Sequence, residues 1–527
     1  MGRWGNINKL LSEDTLYILG LLVLAIALYT LGIQNPALRD WDEGIVASVA
    51  REIWRGFPDL TWLYPTIDNG QPYWNKPPLI HWSIAFSYSL FGVSEWSTRL
   101  FPALISAFCV PLLYQIGREL FTSRVAAVFS ALVYLTFLPI ARHAKVAMLD
   151  GAINCWFCLA VWCLLRGRKD RRWLLGTGIG IGLICLTKGI MMGVLLGGIL
   201  VLFLLWDSPK LLLSPYLAAS LVLGVIPAII WYLQQYLHYG AEFLGISFGE
   251  QTFNRIWQPV SNVSSPPWYY LLEIAKYGLP WLIFLPYGVK LAIKNYHLSW
   301  AKLALVWCGV YLLTTSLMVT KLPWYIMPIY PGLSLFVGAS LAMSWDKHMC
   351  PRSWQIGLTV VTVVCWVGSI YLGFSGQVEK DVAIIIGVVA IAFTVAVIML
   401  WSASVYYIPV TIGGFYLALL LLFNSNNWLW ELNEAFPVRP IAATIEQSTP
   451  VRQSVYTNYP YPRPSLRFYS DRIIVPVEDA ELKRLWSQTK PVFLLVNNSA
   501  IKRLNLNDWI ELSRNEEQWQ LITQSDR

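Results

Sequence analysis

Charge is the first thing this chain is short of. Asp, Glu, Lys and Arg make up 13% of its 527 residues, about half the share of an ordinary soluble domain. With 56% hydrophobic residues, that deficit excludes a soluble globular enzyme and points to a polytopic membrane protein. Histidine is scarcer still: five residues, none at the spacing of a metal site. The eight cysteines all lie within or beside apolar runs, so no disulfide framework is implied. Cys155 and Cys158 form a CxxC inside an apolar helix with no second pair, which reads as packing. No cleavable signal peptide is expected, because the apolar run at 15–33 is too long for an h-region and lacks a small-residue cleavage site. The net charge of +8 implies no nucleic-acid partner, since Lys and Arg gather in short loops where membrane orientation needs them.

What is present is a series of apolar runs. Thirteen crossings are expected, near 15–33, 99–119, 124–141, 148–166, 172–187, 189–206, 211–235, 270–292, 300–319, 323–345, 354–374, 382–402 and 404–425, each close to the ~20 residues a spanning helix needs. The shorter run 79–93 reads as interfacial or as an extension of the second span. With the N-terminus inside, the basic clusters Arg118/Arg124, Arg166–Arg172, Lys290/Lys294/Lys302 and Lys347/Arg352 all fall on the cytoplasmic side. Counting 79–93 as a span would put every later cluster outside. The 27 Trp and 27 Tyr suit repeated interfacial belts. Beyond Asn426 hydropathy falls, and 438–527 alternates short helical patterns with apolar runs such as 472–477 and 491–496. The expected organisation is an all-α membrane domain over 1–425, carrying a first outer loop at 34–78, and a small α/β domain over 426–527 on the outer side.

That first loop carries the densest chemistry. Asp40, Asp42 and Glu43 follow the first span, and Lys76 precedes Pro77 and Pro78, which force the chain out of helix. Between them Ile45, Val49, Ile53 and Trp54 oppose Arg51, Glu52 and Arg55, the pattern of an amphipathic helix lying on the membrane surface. Asp42 and Glu43 are candidates for catalysis, although acids also cap helix N-termini. Asp150 opens an apolar helix, where a cap is the competing reading. Lys188, between two apolar runs in LTKG, must reach water or a cavity, because a lysine inside hydrocarbon costs about 2.5–3.5 kcal/mol. Arg255 suits a phosphate, since its fork offers paired hydrogen bonds; the alternative is a solvated loop arginine. Lys321 and Tyr325 lie in KLPWYIMPIYP, whose prolines free backbone groups that neighbouring protein or a cavity must satisfy; Tyr325 also fits a belt aromatic.

Six pieces in order, namely DEG at 42–44, PYWNKPPL at 72–79, ARHAKVAMLD at 141–150, LTKG at 186–189, the Glu250–Arg255 loop ending PPWYYL, and KLPWYIMPIYP at 321–331, resemble the ArnT-like and protein O-mannosyltransferase-like membrane glycosyltransferases. The resemblance implies the GT-C fold and transfer of a sugar from a polyprenyl-phosphate carrier to a lipid, glycan or protein acceptor outside the plasma (inner) membrane. It implies catalytic roles for Asp42, with Glu43 beside it, and for Asp150, and a donor-phosphate site at Lys76, Arg255 and Tyr325, with Lys188 and Lys321 nearby. Two positions depart from the family. Asn75 stands where a glutamate implicated in metal binding often precedes the lysine, so a divalent metal is left open. Residues 262–265 read Asn-Val-Ser-Ser where a histidine often occurs. The rival from another class is a lipid or glycan flippase, which predicts internal repeats and charges deep in mid-span. The chain has no internal repeat, and its sparse intramembrane charges sit near span ends.

Overall fold

A computed structural model describes residues 12–67, 70–258, 265–374, 380–425, 427–428, 438–451, 453–460, 462–487, 492–512 and 519–524. The chain gathers into two compact units. One comprises Met1–Asn35, Trp74–Ser83 and Arg99–Leu429, the other Pro36–Tyr73, Ile84–Thr98 and Trp430–Arg527. The loop residues 36–73, expected with the membrane domain, therefore pack with the C-terminal residues.

The first unit is helical. Among the described residues nine helices are long and apolar enough to cross a membrane, against the thirteen crossings expected, and the protein is a multi-pass membrane protein. The remaining four runs are helical but short or interrupted. Arg124–Thr136, Asp150–Arg166 and Leu174–Lys188 have 13, 17 and 15 residues, or about 20–26 Å at 1.5 Å per residue. The run 270–292 is divided into Tyr269–Tyr277, a 3-10 turn Trp281–Ile283 and Leu285–Lys294, because Gly278 and Pro280 interrupt the hydrogen-bond ladder. Leu79–Phe91 has 13 residues and is short of the ~30 Å core.

Small residues set the packing. Leu174–Lys188 crosses Pro215–Tyr239 at backbone distance. A Cβ on Gly178 would lie 1.8 Å from the Ser220 carbonyl oxygen, and one on Gly182 would lie 1.7 Å from that of Gly224. Gly178 and Gly182 are four apart, the small-xxx-small spacing that lets membrane helices touch. Tyr330–Lys347 is the most enclosed helix, with fourteen buried residues. A Cβ on its Gly338 would strike Ser130 at 2.1 Å.

The second unit has a two-residue hairpin, β1 (Thr66–Ile67) with β2 (Gln71–Pro72), and a five-stranded sheet. The sheet strands are β3 (Ser454–Thr457), β4 (Ile473–Pro476), β5 (Phe493–Asn497), β6 (Trp509–Glu511) and β7 (Trp519–Gln524), in the order β4-β3-β5-β7-β6. Its β3 runs parallel to β4 and β5, while β7 runs antiparallel to β5 and β6. Alternation along each strand builds two cores. Val455, Leu495 and Leu521 face helix Val438–Ser448, and Leu494, Val496 and Ile522 face Leu482 and Leu485.

Helix Asp42–Arg55 belongs to this unit, and it corrects the picture of a helix resting on the membrane surface. Nine of its fourteen residues are buried, Arg51 among them. Gly44, Ser48 and Arg51 share a face at i, i+4 and i+7, and that face packs on Pro464–Ser470. A Cβ on Gly44 would meet the Ser465 nitrogen at 2.6 Å. Arg51 donates to the Phe468 carbonyl at 2.8 Å and pairs with Asp471 at 3.4 Å. Arg51 is thus spent on protein, while Arg55 pairs with Asp471 at the surface.

Candidate functional site: a cationic cavity

In the first unit a cavity of about 540 Å³ is lined by Lys76, Lys188, Gln251, Arg255, Tyr311 and Tyr325, with methionine, leucine, isoleucine, tryptophan and threonine side chains completing the wall. Each polar group arrives by an identifiable local device. Lys188 is the last residue of Leu174–Lys188, where the helix dipole favours a cation. Gly189, at φ +110°, reverses the chain there, a conformation that suits glycine. The Lys188 Nζ lies 2.5 Å from Asp150 Oδ1 and 4.9 Å from the Tyr325 ring centroid. Asp150 therefore spends its carboxylate on Lys188.

Arg255 stands on the turn Asn254–Trp257, directly after a π-helical segment Gly245–Phe253. The backbone there is fastened to the next loop. Val319 N donates to Ile256 O at 3.0 Å, Thr320 N to Arg255 O at 3.2 Å, and Thr320 Oγ1 to Gln258 O at 2.8 Å. This fastening sets Arg255 against Tyr325: Nη1 donates to the Tyr325 hydroxyl at 2.7 Å, and Nη2 donates to Gln251 Oε1 at 2.6 Å. The Nε is buried and, among the described residues, has no hydrogen-bond partner. Tyr325 lies in the 3-10 segment Pro323–Ile329. The backbone oxygens freed there are taken by neighbours: Tyr311 OH donates to Tyr325 O at 2.7 Å, Tyr270 OH to Leu322 O at 3.2 Å, and Trp307 Nε1 to Pro328 O at 2.7 Å.

Lys76 is only partly exposed. Burial lowers its pKa to about 7, and repulsion by Arg255 and then Lys188 adds to the shift, with Asp150 opposing it. Three cations around one cavity, one of them paired with Asp150, make a site for an anion, and the apolar wall suits an anion carried on a hydrocarbon chain.

The other candidates lie elsewhere. Lys321 turns to its own loop, donating to the Met318 carbonyl, and does not line the cavity. Asp42 and Glu43 belong to the second unit. Glu43 is fully buried and accepts from the Arg39 amide at 3.0 Å. The Asp42 side chain is 18% exposed and lies 3.7 Å from the Arg39 guanidinium. Asp40 is bound within the same unit by Ser465 N (3.1 Å), Ser465 Oγ (2.7 Å) and Arg463 (3.2 Å). For a metal the fit is poor. Asn75 is exposed and supplies no carboxylate, and among the described residues no three His, Cys, Asp or Glu side chains converge. Of the segment 262–265, residues 262–264 lie outside the described residues.

Sequence reasoning does not single out Gln251, Tyr311 or the Asp40 contacts. Only Gln251 leaves a trace, four residues before Arg255 and hence on the same helical face.

The chain is similar to known proteins. The family described as dolichyl-phosphate-mannose-protein mannosyltransferase matches residues 75–231. An uncharacterised protein of Aquifex aeolicus is 25% identical over 93% of this chain and 92% of its own length. An undecaprenyl phosphate-α-4-amino-4-deoxy-L-arabinose arabinosyl transferase of Pseudomonas fluorescens is 28% identical over 62% of this chain, which spans 60% of that relative's length. ArnT from Cupriavidus metallidurans, solved with undecaprenyl phosphate, superposes with a TM-score of 0.80 at 21% identity, over 97% of this chain and 98% of that one. The chain thus has the fold of ArnT, a GT-C membrane protein, and in sequence it is similar to membrane glycosyltransferases over the parts just given.

Proposed function

We propose that the protein moves a sugar from a polyprenyl-phosphate carrier to a lipid, glycan or protein acceptor on the outer side of the plasma membrane. The observation that carries this reading is the convergence of Lys76, Lys188 and Arg255 on one apolar-walled cavity. A phosphodiester-linked sugar carries one negative charge, and the departing carrier phosphate carries up to two. Cations preset around it therefore stabilise the transition state more than the ground state. Arg255 offers its Nε–H to a phosphate oxygen, while the Tyr325 hydroxyl accepts from Arg255 and keeps its own proton to donate. Because the leaving group is a phosphate, little acid assistance is needed. An acceptor hydroxyl does need a base, and Asp42 takes that role in this reading. One displacement at the anomeric carbon inverts its configuration. The curated relative is named for an aminoarabinose donor; here the sugar is left as a hexose or pentose.

The test is carrier binding and sugar transfer by the purified protein in detergent. Arg255→Ala is expected to weaken binding of undecaprenyl phosphate by roughly 10–100-fold, the loss of charge-assisted hydrogen bonds of about 1.5–3 kcal/mol. Unchanged binding in both Arg255→Ala and Lys76→Ala would overturn the reading. Mass spectrometry of membrane lipids and surface glycans from cells with and without the gene identifies sugar and acceptor.

A further inference from the structure

We infer that Gln251 is a further donor-phosphate residue, with its oxygen orienting Arg255 and its amide nitrogen contacting the phosphate directly. This rests on the phosphate reading of the cavity and adds a neutral member to it. A guanidinium can only donate hydrogen bonds. The atom 2.6 Å from Arg255 Nη2 must therefore be the Gln251 oxygen, which fixes the orientation of the amide. Its nitrogen, with two N–H groups, is then the end left for a ligand, on a side chain that lines the cavity.

The backbone explains why the pair is held so firmly. Gln251 lies in the π-helical segment Gly245–Phe253, and such insertions are frequent at functional sites. The wider turn shifts the residues that follow, yet leaves 251 and 255 four apart on one face. The carbonyl of Ser247, in the widened stretch, accepts from Thr252 Oγ1 at 3.0 Å. Arg255 is consequently held from two sides, by Tyr325 on Nη1 and by Gln251 on Nη2. Its buried Nε–H is left as the unspent donor among the described residues. A phosphate oxygen at that Nε–H lies on the guanidinium that Gln251 touches, so the amide N–H groups are within reach of the same anion. Glu250, the neighbouring acid in sequence, is exposed; the neutral residue is the one turned to the cavity, where a carboxylate would cancel a cation.

Three variants separate orientation and contact from simple packing, read by equilibrium binding of undecaprenyl phosphate in detergent micelles. Gln251→Met keeps the length and removes the polar atoms, and is expected to weaken binding about 10-fold. Gln251→Glu keeps an acceptor for Arg255 but adds a negative charge. It should bind at least as weakly at pH 7.5 and recover as pH falls toward 5 and the carboxylate takes up a proton, more steeply than the parent protein, whose own gain comes from Lys76. Arg255→Ala is the control on the underlying reading. If Arg255→Ala weakens binding while Gln251→Met binds like the parent, the inference fails and the phosphate site stands. If Gln251→Glu shows no recovery at low pH, the direct electrostatic role fails. If none of the three weakens binding, the phosphate reading itself fails.

Discussion

Carrier affinity should fall as pH rises above 7, and Lys76 sets the magnitude. In the empty cavity, burial and its cationic neighbours hold its pKa at about 7. A phosphate charge about 4 Å away contributes about 4 kcal/mol at an effective dielectric of 20, which lifts the lysine by about three pKa units. Binding thus takes up a proton between pH 7 and about 10. The affinity loss follows the fraction of empty protein that has lost that proton, about 15-fold between pH 7 and 8.5. The carrier's own second ionisation, near pH 6, is largely complete before this window and changes binding in the opposite sense. The sign for folding is also opposite. The unfolded lysine stays protonated up to its ordinary value while the folded one does not, so the empty protein gains stability as pH rises from about 7 toward 10.5. Loss of affinity is therefore not loss of fold. The assay is a binding isotherm for undecaprenyl phosphate at half-unit steps from pH 6.5 to 9, beside Lys76→Arg, whose charge does not titrate in that range. A flat parent curve would refute the argument, as would a slope that persists in Lys76→Arg.

Three further outcomes are expected. Asp42→Asn should lower transfer by roughly 10²–10⁴-fold while carrier affinity is retained; near-normal turnover would remove Asp42 from catalysis. Asp150→Ala strands the enclosed Lys188 charge, whose partner is 2.5 Å away, and should cost about 3–5 kcal/mol of stability in thermal unfolding. Asp150→Ala combined with Lys188→Met should cost less than Asp150→Ala alone, and an additive double variant would deny the coupling. Gly182→Leu drives a side chain into the Gly224 carbonyl, 1.7 Å from the first added carbon. It should prevent accumulation of folded protein, whereas Gly198→Leu, with open space around its Cβ, should not; equal yields of the two would contradict the helix crossing.

Hydropathy locates the apolar runs but not what happens to the backbone inside them. The run 270–292 satisfies a window average, yet Gly278 and Pro280 divide it into three short pieces. Helix Asp42–Arg55 fails differently. Its apolar period is real, but the opposing stripe of Arg51, Glu52 and Arg55 reads as solvated because charged residues carry no hydrophobic signal, and the small residues Gly44 and Ser48 carry none either. Small residues are what allow close approach, and Arg51 is satisfied by a carbonyl 417 residues away. No local pattern announces such a partner. The α/β character of the C-terminal residues is legible because strands such as Phe493–Asn497 are short apolar runs between turn residues.

Charge in apolar surroundings is expensive, so Lys188 stands out in the sequence alone, whereas Lys76 and Arg255 lie in loops and are marked by the family resemblance; all three line one cavity. A neutral glutamine costs little anywhere, and Gln251 does not stand out. The acids after the first span show the limit most clearly. The sequence nominates Asp42 and Glu43 among three carboxylates in four residues, but it does not show which of them a substrate can reach. Exposure ranks them. Asp40 spends both oxygens on Arg463 and Ser465 with its side chain 4% exposed, and Glu43 is fully buried against the Arg39 amide. A general base needs a lone pair that the substrate proton can reach. Of the three, Asp42 alone keeps appreciable exposure, at 18%. Its ion pair with Arg39, at 3.7 Å, is longer than a hydrogen bond.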